Sequence, residues 1–148
     1  MTNRLPLRAA AVGAILLPVA LLATGCSAFD AIAHHQESIS FADRAALDDG
    51  WDGEQSWIPE DATEIEGTAS TTASDTVLLL HSAQELDPAV CTEIPRRSAP
   101  NYVVPGAPDV YKIDTVFACG SWTVARTDDG WLGWTPNSPE EAAASPGS

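Results

Sequence analysis

The chain has 148 residues, room for one domain at most, and carries 21 acidic against 7 basic side chains for a formal net charge of −14. Such a charge repels phosphate backbones and excludes nucleic acid as a partner, and it disfavours lying flat on anionic lipid. Three cysteines, an odd number, require that one be accounted for separately from any disulfide.

Met1 to Arg8 form a short positive segment, and Ala9 to Ala23 an apolar run of about 15 residues interrupted by Pro18. That run is too short to span a bilayer comfortably as a mature helix. It ends in Leu21-Leu22-Ala23-Thr24-Gly25-Cys26-Ser27, with a small residue directly before a cysteine. The layout is that of a bacterial lipoprotein processing site, with Ala23 standing where leucine is more usual. The expectation is a signal peptide over 1–25 and acylation of Cys26, palmitate included, which removes the third cysteine from the count. Arg4 and Arg8 leave with the leader, so five of the seven basic side chains remain against 21 acidic ones, a net of −16. The mature chain of about 123 residues still supports one modest core. Two or three acyl chains would hold it stably to the extracytoplasmic face of the cell membrane.

Residues 26–50 are expected to be a helical or flexible tether. Phe29, Ile32, Ala33 and Gln36 lie at helical spacing, and Ser40 before Asp43 resembles a capping box leading through Leu47. His34 and His35 would point about 100° apart on a helix, poor joint ligands for a metal. Asp48 to Glu54 faintly resembles a calcium loop, but Gly50 and Pro59 stand where ligands are required. No metal site and no cofactor are expected.

A single acidic domain is expected over 51–136. Its class is α+β: a small antiparallel sheet of about five strands with short helices and one disulfide. Ile65, Gly67 and Ala69 alternate with polar residues, a half-buried strand. Val77-Leu78-Leu79-Leu80 is a continuous apolar run, which predicts a central strand covered on both faces; His81 at its end is read as structural or solvated. Asp87-Pro88 is a helix-start signal before Cys91. Prolines at 95, 100, 105 and 108 predict a long irregular loop.

Val110 to Cys119 alternates as a strand, with Tyr111, Ile113, Phe117 and Cys119 on one side. Gly120-Ser121 and Asp129-Gly130 read as two-residue turns, giving a three-stranded meander through Trp122–Arg126 and Trp131–Thr135. These turns pair Cys119 with Trp122, Phe117 with Val124, Val124 with Thr135 and Arg126 with Gly133. One face then collects Phe117, Cys119, Trp122 and Val124; the other collects Val116, Ala125, Leu132 and Trp134. Residues 137–148 turn to Ser, Pro, Glu and Ala and predict a disordered tail.

Outside the membrane Cys91 and Cys119 are expected to pair. Closing a loop of about 29 residues contributes roughly 3.6 kcal/mol in the chain-entropy account.

No Gly-x-Ser-x-Gly, phosphate-binding glycine loop or His-Glu-x-x-His occurs, and no pair of carboxylates is marked for separate roles. The expectation is a protein that is not an enzyme. Most of the five tryptophans are read as core. Trp51, Tyr102, Trp131 and Trp134 are candidate binding residues if exposed, with Trp131 and Trp134 on opposite faces. The ensemble of Leu-Leu-Ala-Thr-Gly-Cys, Trp57-Ile-Pro-Glu-Asp-Ala-Thr-Glu-Ile65, two later cysteines, Cys119-Gly-Ser-Trp-Thr-Val124 and Trp131-Leu-Gly-Trp-Thr-Pro136 resembles small lipid-anchored envelope lipoproteins of actinobacteria. Arginine dominance over the single lysine, Lys112, fits the same source. The resemblance implies an address and no activity. The expected function is a non-catalytic interaction module that binds another envelope protein through its proline-rich loop or acidic surface. The other reading is a ligand- or cell-wall-glycan-binding lipoprotein using exposed aromatics.

Overall fold

The computed structural model describes residues 35–146. The expected leader at 1–25, the expected acylation site Cys26, His34 and the first part of the expected tether lie outside the described residues, as do positions 147 and 148.

The apolar run that predicts a central strand is β3 (Thr76–His81). Val77 faces one side of the sheet while Leu78 and Leu80 face the other, and all three are buried. On one flank β3 pairs with β2 (Thr63–Ser70), where Gly67 lies opposite Leu78. A Cβ on Gly67 would stand 2.2 Å from the Val77 carbonyl oxygen, so this close approach admits only glycine. β2 in turn pairs with β1 (Gln36–Asp43).

On its other flank β3 meets the last strand of a meander. β5 (Thr115–Cys119), β6 (Trp122–Arg126) and β7 (Gly130–Thr135) follow one another, and β4 (Thr92–Pro95) lies outside β5. The result is one antiparallel seven-stranded sheet in the order β1-β2-β3-β7-β6-β5-β4.

The sheet-dominated α+β architecture, the Cys91–Cys119 disulfide and the meander agree with the sequence. Cys119 pairs with Trp122 and Phe117 with Val124, as the Gly120-Ser121 turn requires. The second turn differs. Arg126 pairs with Trp131 and Val124 with Gly133, and the Thr127 N–H donates to the Gly130 carbonyl, so Asp128-Asp129 are the turn residues. Gly130 is a strand residue instead: a Cβ there would lie 2.3 Å from the Leu80 carbonyl oxygen. The slip is two residues, which preserves the side each residue faces.

Two edge strands raise the count from five to seven. Residues 36–43 form β1 rather than part of a helical or flexible tether, because Ser38-Ile39-Ser40-Phe41 alternates with period two. Ile39 is buried opposite Gly67. The helix starts later: Asp43, not Ser40, caps α1 (Arg44–Gly50) by accepting the Ala46 N–H at 2.9 Å. At the other edge, β4 includes Pro95, which an edge strand tolerates at its end. The expected strand from Val110 is shortened, since the Asp109 side chain caps a 3-10 turn at Val110–Lys112. The expected tail is also ordered over most of its length. Ser138 and Glu141 form a capping box, with Pro139 in the first turn, that starts α2 (Pro139–Ala144).

Both faces of the sheet are covered. One carries Leu78, Leu80, Trp122, Val124 and Trp131, closed by Leu47 of α1, Trp57, Ile58 and the disulfide. The other carries Val77, Val116, Ala125, Leu132 and Trp134, closed by residues 99–113 of the proline-rich loop.

Candidate functional site

The proline-rich loop, residues 96–114, is tied down at its foot by its own first residue. The Arg96 N–H donates to the Asp114 carbonyl at 2.9 Å. Its guanidinium donates to the carbonyls of Ile113 and Ser98, each at 2.9 Å, and lies 5.4 Å from the Tyr111 ring centroid. At the far side the Asn101 amide donates to the Asp75 carboxylate in the β2–β3 turn. Val104 and Val110 insert into the second core, and Gly106 takes a left-handed φ of 85° to turn the chain between them. The loop is therefore a fixed cover.

The cover leaves a groove of about 400 Å³. Val77 and Leu132 of the sheet line it together with Pro100, Tyr102, Val104, Ala107, Pro108, Val110 and Tyr111. Asp109 is the one charged side chain in this lining. Val103 lines it too, and Val103 and Tyr111 are 89% and 74% exposed, the exposed large hydrophobic side chains among the described residues. An apolar groove with two exposed apolar side chains at its rim is the surface most unlike the rest of this acidic protein.

The foot of the loop rests on a buried carboxylate. Glu141 is 0% exposed. Its Oε1 accepts the backbone N–H groups of Arg97 at 2.7 Å and Ser98 at 3.0 Å, and its Oε2 accepts that of Ser138 at 2.8 Å. Burial pushes its pKa up. Hydrogen bonds from the Ser138 and Arg97 backbone and from the Ser98 and Thr123 side chains outweigh that and hold it below its ordinary value near 4.5. The Ser98 hydroxyl also accepts from the Trp134 indole at 2.8 Å and contacts the Thr123 hydroxyl at 3.3 Å.

Only one of the aromatic residues singled out in the sequence reaches the groove. Tyr102 lines it. Trp131 and Trp134 are 0% exposed, one in each core, so neither offers a ring to a ligand. Their indole N–H groups are used internally, by the Gln84 carbonyl at 3.0 Å and by Ser98. Trp51 is half-buried, edge-on to Trp122 with centroids 6.2 Å apart. The sequence marks neither Val103 nor Glu141 as a site residue, and Tyr111, expected on a strand face with Ile113, Phe117 and Cys119, stands exposed in the 3-10 turn instead. The Ser138-Pro139-Glu140-Glu141 capping signature was available in the sequence, but the surrounding Ser/Ala/Pro composition argued for disorder.

A second, shallow and open concavity lies at the end of the sheet near the Asp128-Asp129 turn, lined by Asp61, His81, Ser82 and those two aspartates. The Asp61 carboxylate is already occupied, accepting from the Ser82 hydroxyl at 2.5 Å and the Ala83 N–H at 3.0 Å. His81 Nδ1 lies 3.6 Å from Glu64 Oε2, both exposed. Among the described residues, no group of three or more His, Cys, Asp and Glu is placed to hold a metal ion, and no helix is long and apolar enough to cross a membrane. Compared with known proteins, the chain matches no family model, no curated protein and no solved structure.

Proposed function

We propose that the protein is a lipid-anchored, extracytoplasmic, non-catalytic interaction module whose groove under the proline-rich loop receives an apolar side chain of a partner protein. The observation that carries this reading is the pairing of an apolar groove with Val103 and Tyr111, exposed on a loop that is otherwise tied down. A fixed loop loses little conformational entropy on binding. With a formal charge of −14, or −16 once the proposed leader is removed, two copies repel one another, so the fitting partner carries lysine or arginine around its apolar contact. The anchor would be Cys26, by the leader motif that precedes it. Glycan binding is the weaker alternative. A sugar needs several convergent polar groups, and the groove supplies one carboxylate and the tyrosine hydroxyls.

The test is a benzophenone amino acid placed at position 103, cross-linked in cells and followed by mass spectrometry of the membrane fraction. The expected result is one recurrent protein adduct that is lost in the Tyr111→Ser variant. Both positions are exposed, so folding is expected to change by no more than about 1 kcal/mol, the Arg96–Tyr111 contact included. A smear of unrelated neighbours, unaffected by Tyr111→Ser, would overturn the reading.

A further inference from the structure

α2 carries no large apolar side chain. Its sequence is Pro-Glu-Glu-Ala-Ala-Ala, and a six-residue helix of this kind does not hold itself together in water. Its buried side chain is that of Glu141, and Ser145 just beyond is buried as well. The Ser145 hydroxyl accepts the Gly120 N–H at 2.5 Å. Docking of the carboxyl-terminal segment is thus largely polar. Glu141 spends one oxygen on its own helix cap and the other on the loop foot, two residues before Pro100 enters the groove lining. Ser98 continues the chain of bonds to Trp134 on β7, the strand that supplies Leu132 to the groove. If α2 leaves, the Arg97 and Ser98 N–H groups lose their acceptor and must be hydrated, which leaves the foot of the cover held by the bonds of Arg96 and of the Ser98 hydroxyl and loosens it.

We propose that Glu141 is a positioning residue for the groove: it couples docking of the carboxyl-terminal helix to the shape of the proline-rich loop, so that this segment governs whether the groove is formed. The inference rests on the reading of the groove as the binding site. A ligand or protease that took hold of residues 138–146 would switch the module off without touching the groove itself.

The experiment compares the full chain with Glu141→Gln, in which an amide NH₂ faces N–H donors. Ser138→Ala serves as a milder second variant that leaves the carboxylate in place and removes its helix cap. Amide hydrogen exchange is read residue by residue, and adduct yield is read in cells from benzophenone at position 103. The expected result is exchange faster at Arg97, Ser98 and the amides through Val104 by roughly tenfold or more beyond the acceleration that β3 and β7 share through lower global stability, and a lower adduct yield. Ser138→Ala should show the same pattern more weakly. Unchanged loop exchange overturns the proposal. Exchange accelerated equally in β3 and β7 also overturns it, since Glu141 would then serve the whole fold. Faster loop exchange with full adduct yield overturns the control of the groove. No adduct from the unaltered protein refutes the groove reading itself, and the proposal with it, whatever the exchange shows.

Discussion

Single atoms decide several positions in this sheet. Gly67 is the sharpest case, because the nearest atom a methyl group there would meet is a backbone oxygen, which cannot swing away as a side chain can. Gly67→Ala should cost about 3 kcal/mol, measured as a lowered urea midpoint, through splaying of β2 from β3. Glu141 makes a pH prediction. Its pKa is lowered in the folded protein, so its contribution to stability is present above the ordinary value near 4.5 and is lost as pH falls through the lower folded value. Thermal melts between pH 7 and pH 3 should show Glu141→Gln less stable than the unaltered chain at neutrality, with the gap narrowing below about 4.5. A constant gap would assign the loss to packing instead of to the charge. The tryptophans show how far residue type alone could be read. Their large apolar area marked them as core, but which of them kept a free face was decided by neighbours distant in sequence, such as Ser98 for Trp134 and Gln84 for Trp131.

At the level of elements, the meander was legible because two short turns and strict alternation constrain one another. The register error at the second turn was invisible for the same reason: a slip of two leaves every residue on its predicted face. β1 was obscured by residues at helical spacing upstream of it, though Ser38-Ile39-Ser40-Phe41 already alternates. The prolines at 100, 105 and 108 lie in irregular backbone as their spacing predicts, whereas Pro95 ends β4, and the loop's role as the lid of a second core is not legible in the sequence. Val104 and Val110 acquire their partners only when β3, β5, β6 and β7 are side by side. The disulfide ties the residue before β4 to the last residue of β5, next to the Thr92–Ala118 pair. A Cys91→Ser/Cys119→Ser variant should lose roughly 3.6 kcal/mol of stability in urea titration, with most of the local loosening in β4. A loss spread evenly over the sheet would show that the bridge acts through the unfolded chain alone.

For the molecule as a whole, the net charge of −14 sets the response to salt. Repulsion between carboxylates is screened beyond about 8 Å at physiological ionic strength, so added salt should raise the melting midpoint by a few degrees. Under the proposed function, capture of a basic-rimmed partner should slow over the same range, readable as a falling association rate. The strand order has a mechanical consequence. The chain enters the sheet at one margin, through β1, whereas α2 and the Cys91–Cys119 bridge reinforce the opposite margin. Tension applied to the amino-terminal end is borne first by the ladder between β1 and β2, which no covalent bond backs up among the described residues. That ladder is the fuse. It can unzip under load while β3, β7 and the lid above them stay assembled, so a pull that strips the outermost strand lengthens the chain before it disturbs the groove.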